Sequence, residues 1–212
     1  MSIYFARQRT MSATAKGGIY TMRYQSTKRA FDIFFSSLGL LLFAPLLIIV
    51  AIIIKLEDGD TVFFHQTRLG KQKIPFSILK FRTMRQGKIT RIGGWLRGNG
   101  IDEIPQFLNV LKGDMSMVGP RPLTEDDIHR LGWDRPVYGD RWDSSPGITG
   151  LTQLLSGHSA RYSRRVDKLY ARKKSIQLDF IIICLSFLVN VFGKRRIRKL
   201  IQNRKRSSSH DD

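Results

Sequence analysis

The sequence is poor in cysteine, and this excludes one large class of small proteins. Among 212 residues only Cys184 carries a thiol, so a fold stapled by intramolecular disulfides is excluded. A reducing compartment fits this composition. Because Cys184 lies among apolar residues, we expect it to be a buried packing residue.

Common phosphate-binding and metal-binding patterns are also absent. The sequence has no glycine-rich nucleotide loop of the P-loop or dinucleotide type, and no cluster of cysteines and histidines with metal-ligand spacing. The four histidines are scattered along the chain at His65, His129, His158 and His210. Any phosphate chemistry must therefore depend on basic loops and acidic pairs.

Acidic residues are scarce relative to basic ones. The 17 Asp and Glu residues face 36 Lys and Arg residues, which gives a formal net charge of +19 at pH 7. Such an excess indicates a polyanionic partner: a nucleic acid, an anionic membrane surface or phosphate-bearing substrates. A basic nucleic-acid-binding protein is one interpretation, although the sequence contains no recognised module of that kind.

Charge is wholly absent from one long stretch, Ile33–Ile54. As a helix this stretch would measure about 33 Å, enough to cross a bilayer. Pro45 removes a hydrogen bond near its middle, and basic residues such as Lys28 and Lys55 flank both ends instead of one. We therefore expect residues 28–57 to form a re-entrant helix hairpin that breaks at Pro45, in preference to a straight span or a buried core helix.

The two ends of the chain have biased compositions. Residues 1–27 contain basic, Ser and Thr residues but no acidic ones, which favours a disordered extension over a transit peptide. Residues 194–212 form a polybasic tail suited to an anionic leaflet, although a solvated tail is compatible with the same composition. Leu178–Phe192 is apolar but short for a span, so it predicts a helix at the membrane interface or in a core.

The middle of the chain predicts a small hairpin and a helix. Thr61–Gln66 and Pro75–Phe81 are rich in β-branched and aromatic residues, which is typical of paired strands. Glu103–Lys112 predicts a helix that has Asp102 as its N-cap and Gly113 at its C-terminal end.

The neighbouring carboxylates Asp102 and Glu103 are the first candidates for catalysis. On a helix they would diverge by about 100°, which suits separate roles, one facing phosphorus and the other holding a metal. A helix N-terminus would keep Asp102 ionised and attract phosphate, and hard oxygen ligands suit Mg²⁺. A simple N-cap followed by a first-turn acid is the structural alternative.

Basic side chains supply candidates for phosphate binding. Pro120 and Pro122 fix the backbone on both sides of Arg121, which would present its guanidinium with little loss of entropy. Lys80 and Arg82 alternate along the second strand, so both charges lie on one face of the hairpin. On local grounds a tight turn with an exposed side chain explains Arg121 better than phosphate binding does, and a solvated sheet face explains Lys80 and Arg82 equally well.

Several segments together resemble the bacterial sugar transferases, the monotopic phosphoglycosyl transferases that act on polyprenyl phosphate. Their order and spacing match over about three quarters of the chain, and the matching segments are Lys28–Asp32, Phe64–Gly70, Lys80–Met84, Asp102–Met115, Val118–Leu123 and Pro146–Gln153.

The resemblance implies a reaction and roles for residues. Asp102 would attack the β-phosphate of a UDP-sugar, release UMP and form a covalent phosphosugar intermediate, which polyprenyl phosphate would then discharge. Glu103 falls at the family's Mg²⁺ position, and Arg97, Arg121 and Arg141 fall at basic positions expected to contact phosphate.

The resemblance also implies an α+β fold and a location. A re-entrant membrane helix would be followed by a mainly helical catalytic domain at residues 58–193, with a small β-hairpin and interfacial amphipathic helices. The domain would face the cytoplasm at the bacterial inner membrane, without nucleic acid as a partner. Two departures from the family pattern are Ala44, where Ser usually precedes the proline, and His158, where Arg is usual. A non-catalytic membrane anchor is disfavoured by the intact Asp102 and Glu103.

Overall fold

The computed structural model describes residues 2–133, 139–155 and 160–192. The α-helices are α1 Ser2–Asp58, α2 Arg91–Asn99, α3 Phe107–Lys112, α4 Glu125–Leu131, α5 Gly139–Trp142, α6 Leu151–Leu154, α7 Ala160–Lys173 and α8 Ile176–Phe192. The strands are β1 Phe63–Leu69, β2 Pro75–Phe81, β3 Met84–Arg85, β4 Lys88–Ile89, β5 Ser116–Val118 and β6 Gly147–Thr149. Two 3₁₀ turns span Lys71–Lys73 and Ile101–Gln106. The predicted polybasic tail and His158 lie outside the described residues.

The long helix α1 contains the apolar stretch. Its segment Tyr24–Glu57 is long and apolar enough to cross a membrane, by length and composition, and only 11% of its most apolar window is buried. The helix is not interrupted at Pro45, so the expected helix–break–helix is not seen as two helices. Pro45 removes one hydrogen bond, but its ring is exposed and the leucines beside it are good helix formers. The helix also includes residues 2–27, where we expected disorder.

One side of α1 packs on the domain and the other is open. Asp32, Ser36, Val50 and Ile54 are buried and lie at helical spacing along the packed side. The outer side exposes large apolar residues, namely Ile33, Phe34, Leu38, Leu41, Leu42, Ile48, Ile49, Ile52, Ile53 and Leu56. An apolar surface of this extent on a helix is typical of contact with lipid.

Helix α8 extends the same kind of surface. Its Phe180 ring lies 6.3 Å from the Phe35 ring of α1, and Phe180, Ile181 and Phe187 are exposed. Cys184 is exposed on this helix as well, so our expectation of a buried packing residue was wrong. An apolar neighbourhood in sequence did not identify a core position here because α8 has an outward-facing apolar side.

The predicted β-hairpin is confirmed. Strands β1 and β2 pair in antiparallel register from Phe63 opposite Phe81 to Leu69 opposite Pro75. The buried side chain of Asn109 ties the hairpin to α3: its Oδ1 accepts from the Leu79 N–H at 3.0 Å, and its Nδ2 donates to the Ser77 carbonyl at 2.7 Å. This bracket fixes β2 against the segment that carries the acidic pair.

Two glycine- and proline-rich loops meet as a short parallel strand pair, β5 and β6. The Gly119 N–H donates to the Thr149 carbonyl and the Gly147 N–H donates to the Pro120 carbonyl, both at 2.9 Å. A Cβ placed on Gly147 would lie 2.0 Å from the Gly119 nitrogen, so only glycine permits this approach. The loop that carries Arg121 is therefore held directly by backbone contacts.

Candidate active site

The acidic pair lies in the 3₁₀ turn Ile101–Gln106, between α2 and α3. The expected helix from Glu103 is thus replaced by this turn, and α3 begins only at Phe107. Asp102 makes no side-chain cap, since Gly100 at φ +70° ends α2 and precedes the turn directly. The tight change of direction at a left-handed glycine leaves Asp102 free of the capping role that we predicted.

Asp102 is buried at the edge of an open cleft of about 340 Å³. Only 8% of the residue is exposed. Burial raises the pKa of its carboxyl above the ordinary value, and the neighbouring Glu103 raises this pKa further, while Lys80 and Arg97 lower it. Burial therefore outweighs these cations, contrary to our expectation that the local field simply favours the ionised form. A partly desolvated carboxylate of this kind is a more reactive nucleophile than a hydrated one.

Lys80 and Glu103 form an ion pair across the cleft. The Lys80 Nζ lies 2.7 Å from the Glu103 Oε1, and both side chains line the cleft beside Asp102. The structure thus places Lys80 among the groups that we predicted for phosphate binding. Its charge is shared with Glu103 through this ion pair.

Arg97 lies on the same cleft, and a close helix contact positions it. Its Nε donates to the buried Thr83 hydroxyl at 2.7 Å. A Cβ on Gly93 would lie 2.2 Å from the Thr83 carbonyl oxygen, so this glycine lets α2 approach close enough for Arg97, about one turn later, to reach Thr83. Sequence reasoning identified Arg97 only through resemblance and missed the roles of Thr83 and Gly93.

A small polar cavity adjoins the cleft behind Glu103. Lys80 and Glu103 line both spaces, and Arg121 and Gln106 line the small one. Gln106 is 2% exposed, and its Nε2 has no hydrogen-bond partner in the described part of the chain. A buried donor left unsatisfied beside candidate catalytic groups indicates a position for substrate or water. Sequence reasoning missed Gln106 because a single amide carries no pattern.

Arg82 lies on the other side of the cleft. It pairs with Asp60 and lines a groove that shares Phe64, Thr83 and Arg97 with the Asp102 cleft. The groove and the cleft are therefore contiguous, although Arg82 lies just beyond the end of β2 at Phe81, not within the strand as we expected. This arrangement extends positive charge away from Asp102 along the hairpin.

Arg141 does not lie on the cleft, and our assignment of a phosphate contact to it is corrected. Its guanidinium is buried, pairs with Asp167 and donates to the Arg121 carbonyl. It also lies over the rings of Trp133 and Trp142, at 4.9 and 5.6 Å from their centroids. Arg141 thus positions the Arg121 loop from behind, because a basic residue near a functional loop in sequence can pack on either side of it.

The donor set available for a metal is small. Among the residues whose side chains the structure describes, no group of three or more His, Cys, Asp or Glu is placed to hold a metal ion. Asp102 and Glu103 are the two carboxylates on the cleft. Mg²⁺ commonly takes one or two carboxylates together with substrate phosphates, so these residues fit it as a substrate-completed site.

Comparison with known families agrees with this arrangement. The model of the bacterial sugar transferase family matches residues 23–193, which contain the cleft and most of α1. The chain therefore belongs to the bacterial sugar transferase family. This membership identifies a transferase, so a nucleic-acid-binding protein and a non-catalytic anchor are no longer needed as interpretations.

Similar proteins of known name share this segment. A UDP-N-acetylgalactosamine-undecaprenyl-phosphate N-acetylgalactosaminephosphotransferase of Aeromonas hydrophila is 36% identical over 81% of this chain and 46% of its own length. The exopolysaccharide production protein ExoY of Rhizobium meliloti is 31% identical over 86% of this chain and 90% of its own. A UDP-glucose:undecaprenyl-phosphate glucose-1-phosphate transferase of Caulobacter vibrioides is 39% identical over 73% and 62%. The chain thus spans about half the length of the first relative and most of the second.

Proposed function

We propose that this protein transfers a sugar phosphate from a UDP-sugar to polyprenyl phosphate, giving a polyprenyl diphosphate sugar and UMP. The observation that carries this proposal is a buried carboxylate, Asp102, at the edge of an open cleft lined by Lys80, Arg97 and Glu103. The names of the Aeromonas and Caulobacter relatives, which specify undecaprenyl phosphate and UDP-sugars, support the same substrate classes.

The chemistry divides into two displacements at phosphorus. An Asp102 carboxylate oxygen attacks the β-phosphorus of the UDP-sugar, and the bond from that phosphorus to the bridging oxygen breaks, so UMP leaves with the oxygen. A phosphate oxygen of polyprenyl phosphate then attacks the same phosphorus, and the Asp102 carboxylate is expelled. A covalent intermediate of this kind replaces one difficult transfer with two easier ones.

The cations of the cleft supply charge stabilisation. Phosphoryl transfer places negative charge on the non-bridging oxygens, and preorganised donors near that position lower the barrier. Arg97 is held by Thr83, and Lys80 can exchange its Glu103 contact for a phosphate oxygen. Arg121 on the adjoining cavity and Arg82 on the adjoining groove extend the binding surface along the diphosphate and nucleotide.

We assign Mg²⁺ binding to Glu103, with Asp102 as its neighbour on the cleft. The ion would supply neutralisation of the diphosphate charge. If Glu103 holds it, Glu103→Gln should raise the Mg²⁺ concentration needed for UMP release, and chelation by EDTA should abolish release reversibly. Full activity in excess EDTA would remove the metal from the proposal.

Contacts at both ends of the apolar stretch support a monotopic arrangement, in which the uninterrupted helix α1 stays with the domain on one side of the membrane. Before it, Arg29 donates to the Val110 and Leu111 carbonyls at the end of α3, at 2.6 and 2.5 Å. After it, the Glu57 carboxylate accepts from the N-terminal amides of α2 at 3.1 and 3.3 Å. Helices α2 and α3 flank the Asp102 turn, so both ends meet one domain and belong on one side of the bilayer. The excess of basic residues supports the cytoplasmic side of the inner membrane for this domain.

The covalent intermediate provides the direct test. Purified protein given a UDP-sugar without polyprenyl phosphate should release up to one UMP per molecule and gain the mass of a phosphosugar. Peptide mapping should locate that mass on Asp102, and polyprenyl phosphate should discharge it. UMP release that requires polyprenyl phosphate from the first turnover would contradict the two-step route. A panel of UDP-sugars in the same assay would identify the sugar.

A further inference from the structure

A second cavity, of about 250 Å³, opens at the other end of the apolar stretch and shares no lining residue with the Asp102 cleft. It lies between the start of the apolar part of α1, the turn that joins β1 to β2, and the junction of α7 with α8. Its polar lining includes Tyr24, Lys28, Lys71, Ser144, Tyr170 and Lys174. The proposed transfer reaction makes no use of this space.

Two carboxylates at this cavity are already satisfied: Asp32 in its wall and Asp179, which is bonded to the lining residue Tyr170, whereas a third, Asp143, lines the cavity and is exposed. Asp179 is fully buried. Its carboxylate forms an ion pair with the Lys28 Nζ at 3.0 Å and accepts a hydrogen bond from the Tyr170 hydroxyl at 2.8 Å. The Asp32 carboxylate forms an ion pair with the Lys28 Nζ at 2.7 Å and accepts a hydrogen bond from the Met117 N–H at 3.0 Å. These two carboxylates therefore neutralise the charge of Lys28, and Lys28 does not make the electrostatic potential in the cavity more positive.

Arg29 also lines the cavity, but its guanidinium donates to the Val110 and Leu111 carbonyls, so Lys71 and Lys174 are the lining cations left for a ligand. In the part of the chain that the structure describes, neither pairs with a carboxylate, and Lys174 makes only a 3.5 Å contact with the Ser144 hydroxyl and a 6.0 Å approach to the Tyr24 ring. Burial lowers the pKa of Lys174, and the charge of Lys71 lowers it further, while Asp143 and Asp179 act in the opposite direction. Two like charges held close together around a partly enclosed space would be stabilised by a bound anion.

The backbone of the β1–β2 turn presents Lys71 in a constrained way. The two residues that follow, Gln72 and Lys73, both have positive φ values, of 54° and 60°. Consecutive left-handed conformations without glycine are unfavourable and tend to persist where a site requires them. The Lys73 Nζ lies over the Trp142 ring, 5.7 Å from its centroid, whereas Lys71 lines the cavity.

The position of the cavity indicates where the anion comes from. Lys28 precedes the uncharged stretch of α1 by a few residues, and Lys174 directly precedes α8, whose outer side is also apolar. The two apolar helices meet at Phe35 and Phe180, next to the cavity. A phosphate that reached Lys71 and Lys174 while attached to acyl or prenyl chains could leave those chains against this apolar surface.

We propose that Lys71 and Lys174 form a second phosphate site, which holds the phosphate group of a membrane lipid at the base of the two apolar helices. The ligand class is a phosphate-bearing lipid headgroup. The site anchors the domain at the lipid surface and is separate from the position where phosphorus chemistry takes place.

Binding can be measured through the thermal stability of the full-length protein. In micelles of neutral detergent with phosphatidylcholine, added phosphatidylglycerol should raise Tm in a saturable way, because a ligand that binds the folded state stabilises it. Lys71→Gln and Lys174→Gln should each weaken apparent binding about fivefold, and the double variant about 30-fold. Lys88→Gln, an exposed lysine away from both cavities, is the matched control and should behave as the wild type.

Two other ligands, inorganic phosphate and polyprenyl phosphate, identify the source of the phosphate, and a comparison of variants tests the site itself. Inorganic phosphate should give little shift; a lysine-dependent shift with inorganic phosphate and none with phosphatidylglycerol would overturn the lipid assignment. A lysine-dependent shift with polyprenyl phosphate alone would support a lipid phosphate and identify it as the acceptor. A phosphatidylglycerol response equal in the double variant and in Lys88→Gln would overturn the site altogether.

The result is separable from the transferase proposal. The double variant should still release one UMP from a UDP-sugar, since neither lysine lines the Asp102 cleft. Conversely, Asp102→Asn should keep the full Tm response to phosphatidylglycerol. Loss of the lipid response without loss of UMP release would therefore concern this cavity alone.

Discussion

The Asp102 cleft and the cluster around Arg141 both bring basic and acidic side chains together, but only the first borders an open space. At the cleft, Lys80 and Glu103 pair beside an open space, so either can exchange its partner for a ligand. At the cluster, the Arg141 guanidinium is buried against Asp167, the Arg121 carbonyl and two indole rings. The difference is access, because a charge in contact with a cavity can change partners and a fully packed charge cannot.

Because of this contrast, removing a charged side chain should have different effects on stability and activity in the two clusters. Buried ion pairs are strongly destabilised when one partner is removed, since the other charge remains desolvated. Groups beside an open cleft recover solvent when a partner is lost, so their removal affects chemistry more than folding. Substitutions in the two clusters should therefore separate activity from stability.

The largest effect is expected at Asp102. Asp102→Asn removes the proposed nucleophile, so turnover should fall by about 10⁴-fold or more, as for other covalent nucleophiles. The pKa of Asp102 is raised in the folded state, so the wild type loses stability as pH rises from the ordinary Asp value through the raised one. The Asn variant avoids this loss and should have a higher Tm than the wild type at neutral pH.

The pH dependence serves as the control for this variant. Below about pH 4, the ordinary pKa of an aspartate, both proteins carry a neutral side chain and the Tm advantage should disappear. Turnover of the Asn variant near the wild-type rate would contradict covalent catalysis at Asp102. A Tm lower than that of the wild type at neutral pH would instead indicate that the ionised carboxylate supports the fold.

The next largest effect is expected at Arg141 and concerns stability. Arg141→Met leaves Asp167 buried without its partner and should lower the free energy of unfolding by about 3–5 kcal/mol. The double variant Arg141→Met/Asp167→Leu removes both charges and should recover much of this loss, as measured by urea unfolding in detergent. Normal stability in Arg141→Met, together with lost UMP release, would return Arg141 to the substrate site.

Arg97 provides the matching substitution on the cleft. Arg97→Met removes a preorganised donor and should lower kcat by roughly 10²- to 10³-fold, with little change in the free energy of unfolding. Arg91→Met, on the same helix and exposed, is the control and should leave kcat unchanged. A loss of stability as large as that in Arg141→Met would erase the distinction between the two clusters.

Local signals in the sequence predicted the parts of the site that depend on few residues. Alternating β-branched and aromatic residues predicted the hairpin that carries Lys80, and adjacent carboxylates identified Asp102 and Glu103. Gly113 ends α3 in the left-handed conformation, as its position after the helix predicted. These features are set by backbone preferences that act over a few residues.

The features that sequence reasoning missed depend on distant contacts. The bracket that Asn109 makes around Leu79 joins residues 30 apart in the chain, and the side on which Arg141 packs is fixed by Asp167 in α7. The role of Asp102 differs from the prediction for a local reason, because the left-handed residue Gly100 leads into a turn where a capped helix was expected. The burial of Asp102 and Arg141 could not be predicted from the charge of either residue alone.

The smallest expected effect, and the finest test of the cleft, concerns Lys80 and the pH at which Asp102 ionises. Asp102 must be ionised to attack, so single-turnover UMP release should rise with pH through its pKa. Lys80 lowers that pKa, and Glu103 raises it. Lys80→Met removes the favourable charge and leaves Glu103 without its partner, so both changes shift the acidic limb of the profile to higher pH.

The conservative variant separates this effect from simple loss of binding. Lys80→Arg keeps a positive charge near Glu103 and should keep the limb close to its wild-type pH, even if the plateau rate falls because the shape of the phosphate contact changes. In Lys80→Met the plateau should fall and the limb should move, which a purely structural role of Lys80 would not produce. If the acidic limb of the pH profile stays fixed in Lys80→Met, a group other than Asp102 controls the first displacement. The difference between the two clusters would then need an explanation other than access to the cleft.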